Sequence, residues 1–455
     1  MRLDQPLAVR PALVDHPLLL ASPAPYRPVT GTGTLTDVSE SEVTRICRRA
    51  AAAAAALREL DTAAKDRVLT QIADAIDAGR DVLQAANRID VEQARAAGVS
   101  ATLVDRLTVT DARISGMVSS IRTVTGLPDP VGQVVAGRTR PNGLLIEHVR
   151  EPLGVVAVIY EARPNVTADV AALCLKSGNA AVLRGSSIAA HTNAAIADLI
   201  TGVLAAQDQV PVDAVQLIRD NSREAVLELL AARDWVDLLV PRGGPSLIQT
   251  VREHAQVPVV IDGDGNCHVY VDESADPAMA TDIVVNAKTS RPSVCNAAET
   301  LLVHAGIAPS WLPGALAELD KAGVAIHGDE RVRAIWPDAE PATQADWATE
   351  YLDLILAVRV VDDLDEALAH IARWGTRNSE AVVARDIGVA RRFARAVNSG
   401  SVFVNCSTRF SDGGEFGYGL EIGVSTQKLH ARGPMGLEAL TCVKNVTWGS
   451  GQIRL

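Results

Sequence analysis

Cys295 closes the run Lys288-Thr-Ser-Arg291-Pro292-Ser-Val-Cys295, in which two cations and a loop-fixing proline precede a single thiol. Cations near a thiol lower its pKa and favour the thiolate, the form that attacks a carbonyl carbon. The same letters also describe a small apolar residue held in a core, the commoner fate of a cysteine. Cys174, on the apolar face of Ala171-Ala-Leu-Cys-Leu-Lys176, reads as core. Asn165 follows Arg163-Pro164 where an apolar run ends; it is a natural turn residue, and its amide can also donate to an oxyanion developing on a substrate. Arg242-Gly243-Gly244 opens a helical segment whose free N–H groups suit an anion, although the same tripeptide makes an ordinary turn. The glycine-rich stretch Ser411–Gly423 allows backbone to approach a ligand closely, or forms a mobile loop.

Other chemistries lack their residues. No G-x-G-x-x-G follows a strand and no G-x-x-x-x-G-K-[ST] occurs, so a nucleotide must be held by other means. Asp262-x-Asp264-x-Asn266 with Glu273 imitates a calcium loop, but Cys267 stands where that loop needs glycine. The nine histidines are scattered without H-E-x-x-H, and no metal is expected. Six cysteines without a C-x-x-C spacing suit a reducing, cytoplasmic compartment. A net charge of −12 and 3% aromatic residues offer neither the basic footprint nor the stacking surface of a nucleic-acid binder. An acidic chain that handles anions must gather its cations locally. No apolar run approaches the roughly 18 residues that a membrane span needs, so no membrane partner is expected.

The elements that must position these residues follow from periodicity. Residues 1–40, rich in proline, read as a disordered extension without a secretory signal. Ser41 to Gly98 reads as two or three surface helices, with Leu69, Ile72, Ile76 and Leu83 on one face. The continuous apolar run Gly154-Val-Val-Ala-Val-Ile-Tyr160 reads as a strand covered on both faces. After it, helices at 166–177, 189–204, 222–231 and 246–253 alternate with strands at 180–183, 215–218, 236–240 and 257–261. A second set of strands begins at His268 and recurs at 299–303, 354–361, 381–384 and 401–405. The expectation is an α/β chain with two doubly wound domains, whose ligands sit in the loops beyond the strands of the first sheet.

Five blocks carry a resemblance: Glu151–Ser186, Leu239–Gly244, Asn286–Val303, Ser407–Gly414 and Val424–Lys444. In this order, over about Ser41 to the C-terminus, they resemble the gamma-glutamyl phosphate reductase family of the aldehyde dehydrogenase superfamily. The resemblance implies an NADPH-dependent reduction of L-glutamate 5-phosphate to L-glutamate 5-semialdehyde in proline biosynthesis. It also implies an aldehyde dehydrogenase-like division: an NADP-binding domain (41–130 and 151–262), a catalytic domain (263–430) and a small β oligomerisation flap (131–150 and 431–455). A homo-oligomer and a functional association with glutamate 5-kinase are further expectations. Residues 1–40 are too few to hold a fused kinase.

Carried over by motif, Cys295 matches the superfamily nucleophile and Asn165 the oxyanion-hole asparagine. Two departures are informative. Where oxidising members carry E-L-G-G-K, whose glutamate activates water, this chain has Ile261-Asp262-Gly263-Asp264-Gly265, which leaves hydride rather than water to discharge a thioester; Asp262 as a displaced base is the less favoured alternative. In Val182-Leu-Arg184-Gly-Ser186-Ser187, Arg184 replaces a lysine and Ser187 an NAD-selecting glutamate, so a hydroxyl and a nearby guanidinium are expected to admit the 2′-phosphate of NADP; Ser186, Arg242, Gly243 and Gly244 are further cofactor-binding candidates. The anionic substrate needs cations, for which Arg163, Arg291 and Arg409 are the candidates, set against plain surface ion pairing. Two other readings stay open: an aldehyde dehydrogenase acting hydrolytically, and a catalytically silent nucleotide-binding homologue.

Overall fold

Glu40–Arg454, apart from Asp262, are the residues described by the structure, a computed structural model. The extension read over residues 1–40 lies outside them save for Glu40, and so does any role of Asp262. From Ser41 onward the chain forms one compact unit.

Five helices come first: α1 (Glu42–Leu57), α2 (Thr62–Ala78), α3 (Arg80–Ala96), α4 (Ala101–Leu107) and α5 (Asp111–Gly126). Ser41 caps α1 by accepting the Thr44 N–H, and Asp61 caps α2 by accepting that of Ala64. Two helices beyond Gly98 were not read from the sequence; Ser100 and Thr110 cap them, a signal short enough to pass for loop polarity.

After β1 (Val134–Thr139) and β2 (Leu145–Pro152), the first parallel sheet is built from β3 (Val155–Tyr160), α6 (Asn165–Lys176), β4 (Ala180–Gly185), α7 (Ala190–Ala205), β5 (Val215–Leu217), α8 (Arg223–Ala231), β6 (Leu238–Arg242) and α9 (Pro245–His254). Its order is β5-β4-β3-β6, and β3 is buried along its whole length, as its unbroken apolar run requires. The strand expected at 257–261 is reduced to a single bridge between Leu239 and Val259. Pro258 on one side of that bridge and Pro241 on the other have no N–H to give, so the ladder cannot extend. One helical stretch, Ser187–Ala205, is long and apolar enough to cross a membrane by length and composition. It packs against α2, α3 and β5.

The second sheet draws on β7 (Cys267–Val271), α10 (Pro277–Thr289), β8 (Ala298–His304), α11 (Ala308–Lys321), β9 (Ala325–Gly328), α12 (Glu330–Ile335), β10 (Glu340–Pro341), β11 (Ile355–Val361), α13 (Leu364–Trp374), β12 (Ser379–Val383), α14 (Ile387–Ala396) and β13 (Ser401–Val404). Its seven parallel strands run β10-β9-β11-β8-β7-β12-β13. Side chains alternate between its faces: Val269, Val271, Leu301 and Val303 enter one core, Tyr270, Leu302 and Val382 the other. β9 and β10 are not among the strands read from the sequence; β10 is two exposed residues, Glu340–Pro341, with no apolar run to mark it.

The chain ends with β14 (Val424–Ser425), β15 (Gly433–Pro434) and β16 (Thr441–Trp448). β16 returns to β2, so the hairpin β1-β2 becomes a three-stranded antiparallel sheet in the order β1-β2-β16. Every residue of β1 is exposed.

Candidate active site

Cys295 sits in the loop between α10 and the start of β8, half-buried. The start of β7 lies directly beneath it. A β-carbon on Gly265 would stand 1.7 Å from the Cys295 carbonyl oxygen, so the two backbones touch where only glycine fits. Cys267 is fully buried, and its Sγ donates to the same carbonyl at 3.2 Å. Burial first, then the Glu380 carboxylate, pushes the Cys267 thiol well up and leaves it a packing group. Asn296, next to the nucleophile candidate, is buried; its amide donates to the Ser411 carbonyl (3.1 Å), and its own carbonyl accepts Thr408 Oγ1 (2.7 Å). Arg106 of α4 reaches the Ser293 carbonyl at 3.3 Å.

The nearby cations are only partly those read from the sequence. Lys288 is wholly buried and paired with Glu299 at 2.6 Å, facing the core rather than the thiol. Burial pushes the Glu299 carboxyl up to about 7 while Lys288 opposes it. Arg409 instead approaches the loop, its Nε on Ser290 Oγ at 2.9 Å. Burial and the neighbouring Arg291 guanidinium lower its pKa, against Asp412 and Cys295. Arg291, Arg409 and Cys295 therefore share one electrostatic neighbourhood.

A second group gathers where the first sheet ends. Asn165 is the first residue of α6 and exposed, and its Nδ2 donates to Asp169 Oδ2 at 2.7 Å, one turn on. That bond occupies one amide hydrogen and orients the other. Burial pushes the Asp169 carboxyl up to about 6, opposed by Asn165 and Arg242. Arg163 is exposed. Arg242 Nη1 donates to the Ile422 carbonyl, tying this sheet edge to the glycine-rich segment that follows Arg409. The N–H of Gly244, at the mouth of α9, is held by Glu161 Oε1 at 3.1 Å. The helix mouth thus already accommodates an anionic group.

The raised Asp169 carboxyl has a testable sign. Between about 4 and about 6 the folded chain keeps a proton that the unfolded chain releases, so the stability contribution present at low pH is lost as pH rises through that window. Asp169→Asn is expected to melt close to the parent near pH 4 and about 1–2 °C above it at pH 7. A melting difference that stays flat or reverses with pH rejects an ionised, poorly solvated Asp169.

Arg184 is half-buried at the end of β4, where Nη2 donates to the carbonyls of Asn221 (2.8 Å) and Ser222 (3.2 Å) while its buried Nε has no hydrogen-bond partner. Ser186 caps the short turn after β4 by accepting the Ile188 N–H, and Ser187 is exposed beside it. These three lie at and just after the end of β4, whereas Asn165 follows β3 and Arg242 ends β6 of the same sheet. Gly265, Cys267, Asn296 and Asp169 were not singled out by the sequence reading. Gly265 lay inside the stretch compared with E-L-G-G-K, and Asn296 beside Cys295; these were the signals within reach.

The aldehyde dehydrogenase family profile matches residues 22–334. A gamma-glutamyl phosphate reductase of Thermobifida fusca is 56% identical over 420 residues, 92% of this chain and 100% of the relative. One of Moorella thermoacetica is 54% identical over 90% of this chain and 97% of its own. The crystal structure of gamma-glutamyl phosphate reductase from Thermotoga maritima superposes with a TM-score of 0.89 at 46% identity, covering 91% of this chain and all of that one. An engineered glycolyl-CoA reductase with bound NADP+ shares the fold at a TM-score of 0.63 and 18% identity, covering 89% of this chain and 96% of its own.

Proposed function

The chain belongs to the gamma-glutamyl phosphate reductases of the aldehyde dehydrogenase family, and on that premise we propose that it reduces L-glutamate 5-phosphate to L-glutamate 5-semialdehyde and phosphate through a thioester on Cys295. The observation that carries this reading is the Cys295 loop, seated on Gly265 with Arg291 and Arg409 in its field. A thiolate there attacks the acyl carbon, the oxyanion is received by the Asn165 amide and a backbone N–H, and phosphate leaves toward the two guanidinium groups. Ile261 supports reduction over hydrolysis: it is buried at the position of the water-activating glutamate, and its own N–H is held by Gln427 at 2.8 Å. Without a base for water, the thioester persists until reduced.

NADPH is the proposed cofactor, and it supplies the hydride when bound. The chain offers it Arg184, whose buried Nε lacks a partner, the hydroxyls of Ser186 and Ser187, and the α9 mouth at Arg242, Gly243 and Gly244, where Glu161 would have to yield. In the proposed division, residues 41–130 and 151–262 bind the cofactor, 263–430 carry the chemistry, and 131–150 with 431–455 join protomers into a homo-oligomer. Exposed Val134, Val135, Val443 and Trp448 and the open edges of β1 and β16 support that last role. A cytoplasmic location and functional association with glutamate 5-kinase, which makes the labile acyl phosphate, complete the reading.

The test is NADPH consumption on addition of glutamate 5-phosphate, followed by the reverse reaction with phosphate varied. Semialdehyde oxidation that proceeds equally well without phosphate would exclude the acyl-phosphate mechanism. Arg409→Ala is expected to raise KM for the acyl phosphate on the order of 10–100-fold, because it removes a partly desolvated partner of an anion. An unchanged KM removes Arg409 from the anion pocket.

A further inference from the structure

We propose that Arg106 binds the α-carboxylate of the acyl phosphate and thereby selects an α-amino acid as substrate. The proposal rests on the reading of Cys295 as the nucleophile toward L-glutamate 5-phosphate. Arg106 stands in the last turn of α4, half-buried, and its Nη2 donates to the carbonyl of Ser293, two residues before Cys295, at 3.3 Å. That long bond occupies one N–H of the guanidinium and leaves the rest of its fork without a protein acceptor among the described residues. The carboxylate beside it in the chain is engaged elsewhere, Asp105 pairing with Arg113 at 3.0 Å. A guanidinium half out of water and without a counter-charge, in a chain of net charge −12, is suited to an anionic ligand.

The element that carries Arg106 is firmly held. Val104 and Leu107 of α4 are buried in one apolar cluster with Val91 and Ala94 of α3 and with Ala189 just before α7. The buried Asn87 clamps the end of α4: its amide donates to the Leu107 carbonyl at 2.9 Å, and its own oxygen accepts the Val109 N–H at 2.7 Å. Neither the apolar cluster nor the clamp uses the Arg106 side chain, whose Nη2 is turned to the Cys295 loop.

The proposed substrate has two anionic ends. Its phosphate is bonded to the acyl carbon that Cys295 attacks, and its α-carboxylate carbon lies four C–C bonds further on, roughly 5 Å away when extended. Arg291 and Arg409 act on each other as like charges, and Arg409 meets the loop at Ser290 Oγ. Two guanidinium groups held so close suit the more highly charged phosphate. Arg106 meets the same loop at Ser293, and it comes from the helices before the first sheet, whereas Arg409 comes from the segment after β13. Its separate approach provides a cation for the second anion, and its planar fork matches a carboxylate with two parallel hydrogen bonds.

The experiment runs the full chain in the oxidative direction with NADP and phosphate, and compares L-glutamate 5-semialdehyde with 4-aminobutanal, which lacks the α-carboxylate, and with 5-oxopentanoate, which keeps the carboxylate and lacks the α-ammonium. Arg106→Gln is expected to raise KM for the semialdehyde and for 5-oxopentanoate on the order of 10–100-fold, with KM for phosphate and kcat/KM for 4-aminobutanal within about threefold of the parent. The parent's preference for the semialdehyde over 4-aminobutanal is thereby lost. Where 4-aminobutanal turns over too slowly in the parent, its Ki against the semialdehyde replaces kcat/KM. Arg106→Lys keeps the charge without the fork and is expected to fall between the two; it carries the test should the Gln variant fail to fold. An unchanged KM for the semialdehyde overturns the proposal, as does a rise confined to KM for phosphate. Equal losses on all of the aldehydes, with a shifted pH profile of Cys295 alkylation by iodoacetamide, also overturn it, because Arg106 would then act only by positioning the loop through Ser293. A parent that oxidises the semialdehyde without phosphate overturns the underlying reading and this proposal together. A phosphate-dependent parent beside an unaffected Arg106→Gln overturns this proposal alone.

Discussion

Cys295→Ala is expected to bind NADPH like the parent and to lose turnover of the acyl phosphate by a factor on the order of 10⁴ or more. In the proposed route hydride is delivered to a thioester and not to the acyl phosphate: the sulfur first forms its bond to the acyl carbon as the bond to phosphate breaks. Removing it therefore removes the intermediate and not merely a contact. The residues proposed for the cofactor, Arg184, Ser186 and Arg242, end or follow strands of the first sheet, whereas Cys295 precedes β8 of the second, so binding and chemistry are expected to separate in the variant. Fluorescence titration with NADPH and single-turnover kinetics measure the two independently. Unchanged turnover would remove the nucleophile assignment; a parent chain that binds NADPH but has an unreactive Cys295 would instead be a silent homologue.

Gly265→Ala is the second large effect. Its β-carbon would lie 1.7 Å from the Cys295 carbonyl oxygen, 2.4 Å from the carbonyl carbon and 2.5 Å from Cα. All three are backbone atoms, so no rotamer change relieves the contact and either the Cys295 loop or the start of β7 must shift. Overpacking of this kind costs about 1–3 kcal/mol. The larger loss falls on catalysis, on the order of 100-fold in kcat, because the atom displaced belongs to the nucleophile's own residue. Gly243→Ala serves as the contrast: its β-carbon would meet Glu161 Oε1 at 2.7 Å and Leu247 Cδ2 at 2.8 Å, both ends of side chains that can swing aside. Thermal melting of both variants, and kcat of Gly265→Ala, check the point. A Gly265→Ala chain that melts and turns over like the parent would show that the nucleophile loop can yield.

The parallel α/β architecture was legible because its signal is local. A strand covered on both faces needs an unbroken apolar run, and Val155–Tyr160 has one. Where a local rule was overlooked the reading slipped: Pro241 and Pro258 break the ladder at 257–261, and the expected strand is a lone bridge. Lys288 shows the limit more sharply. Seven residues before the thiol, it looked like a cation serving Cys295. The last turn of α10 instead turns it inward to Glu299, where it is fully buried. Arg409, 114 residues away from Cys295 in the chain, comes into its field instead.

By itself the sequence determined what is written in short stretches: the helical spacing of Leu69, Ile72 and Ile76, the apolar run of β3, and the motif blocks that carry the family resemblance. Only the tertiary structure decided which carbonyl Cys267 would touch, that Gly265 would have no space for a methyl, and that Arg106 would reach across 187 residues of chain to the Ser293 carbonyl. The reason is physical. Propensity and capping act over a few residues, whereas steric exclusion and desolvation depend on which distant backbones the packed sheets bring to one place.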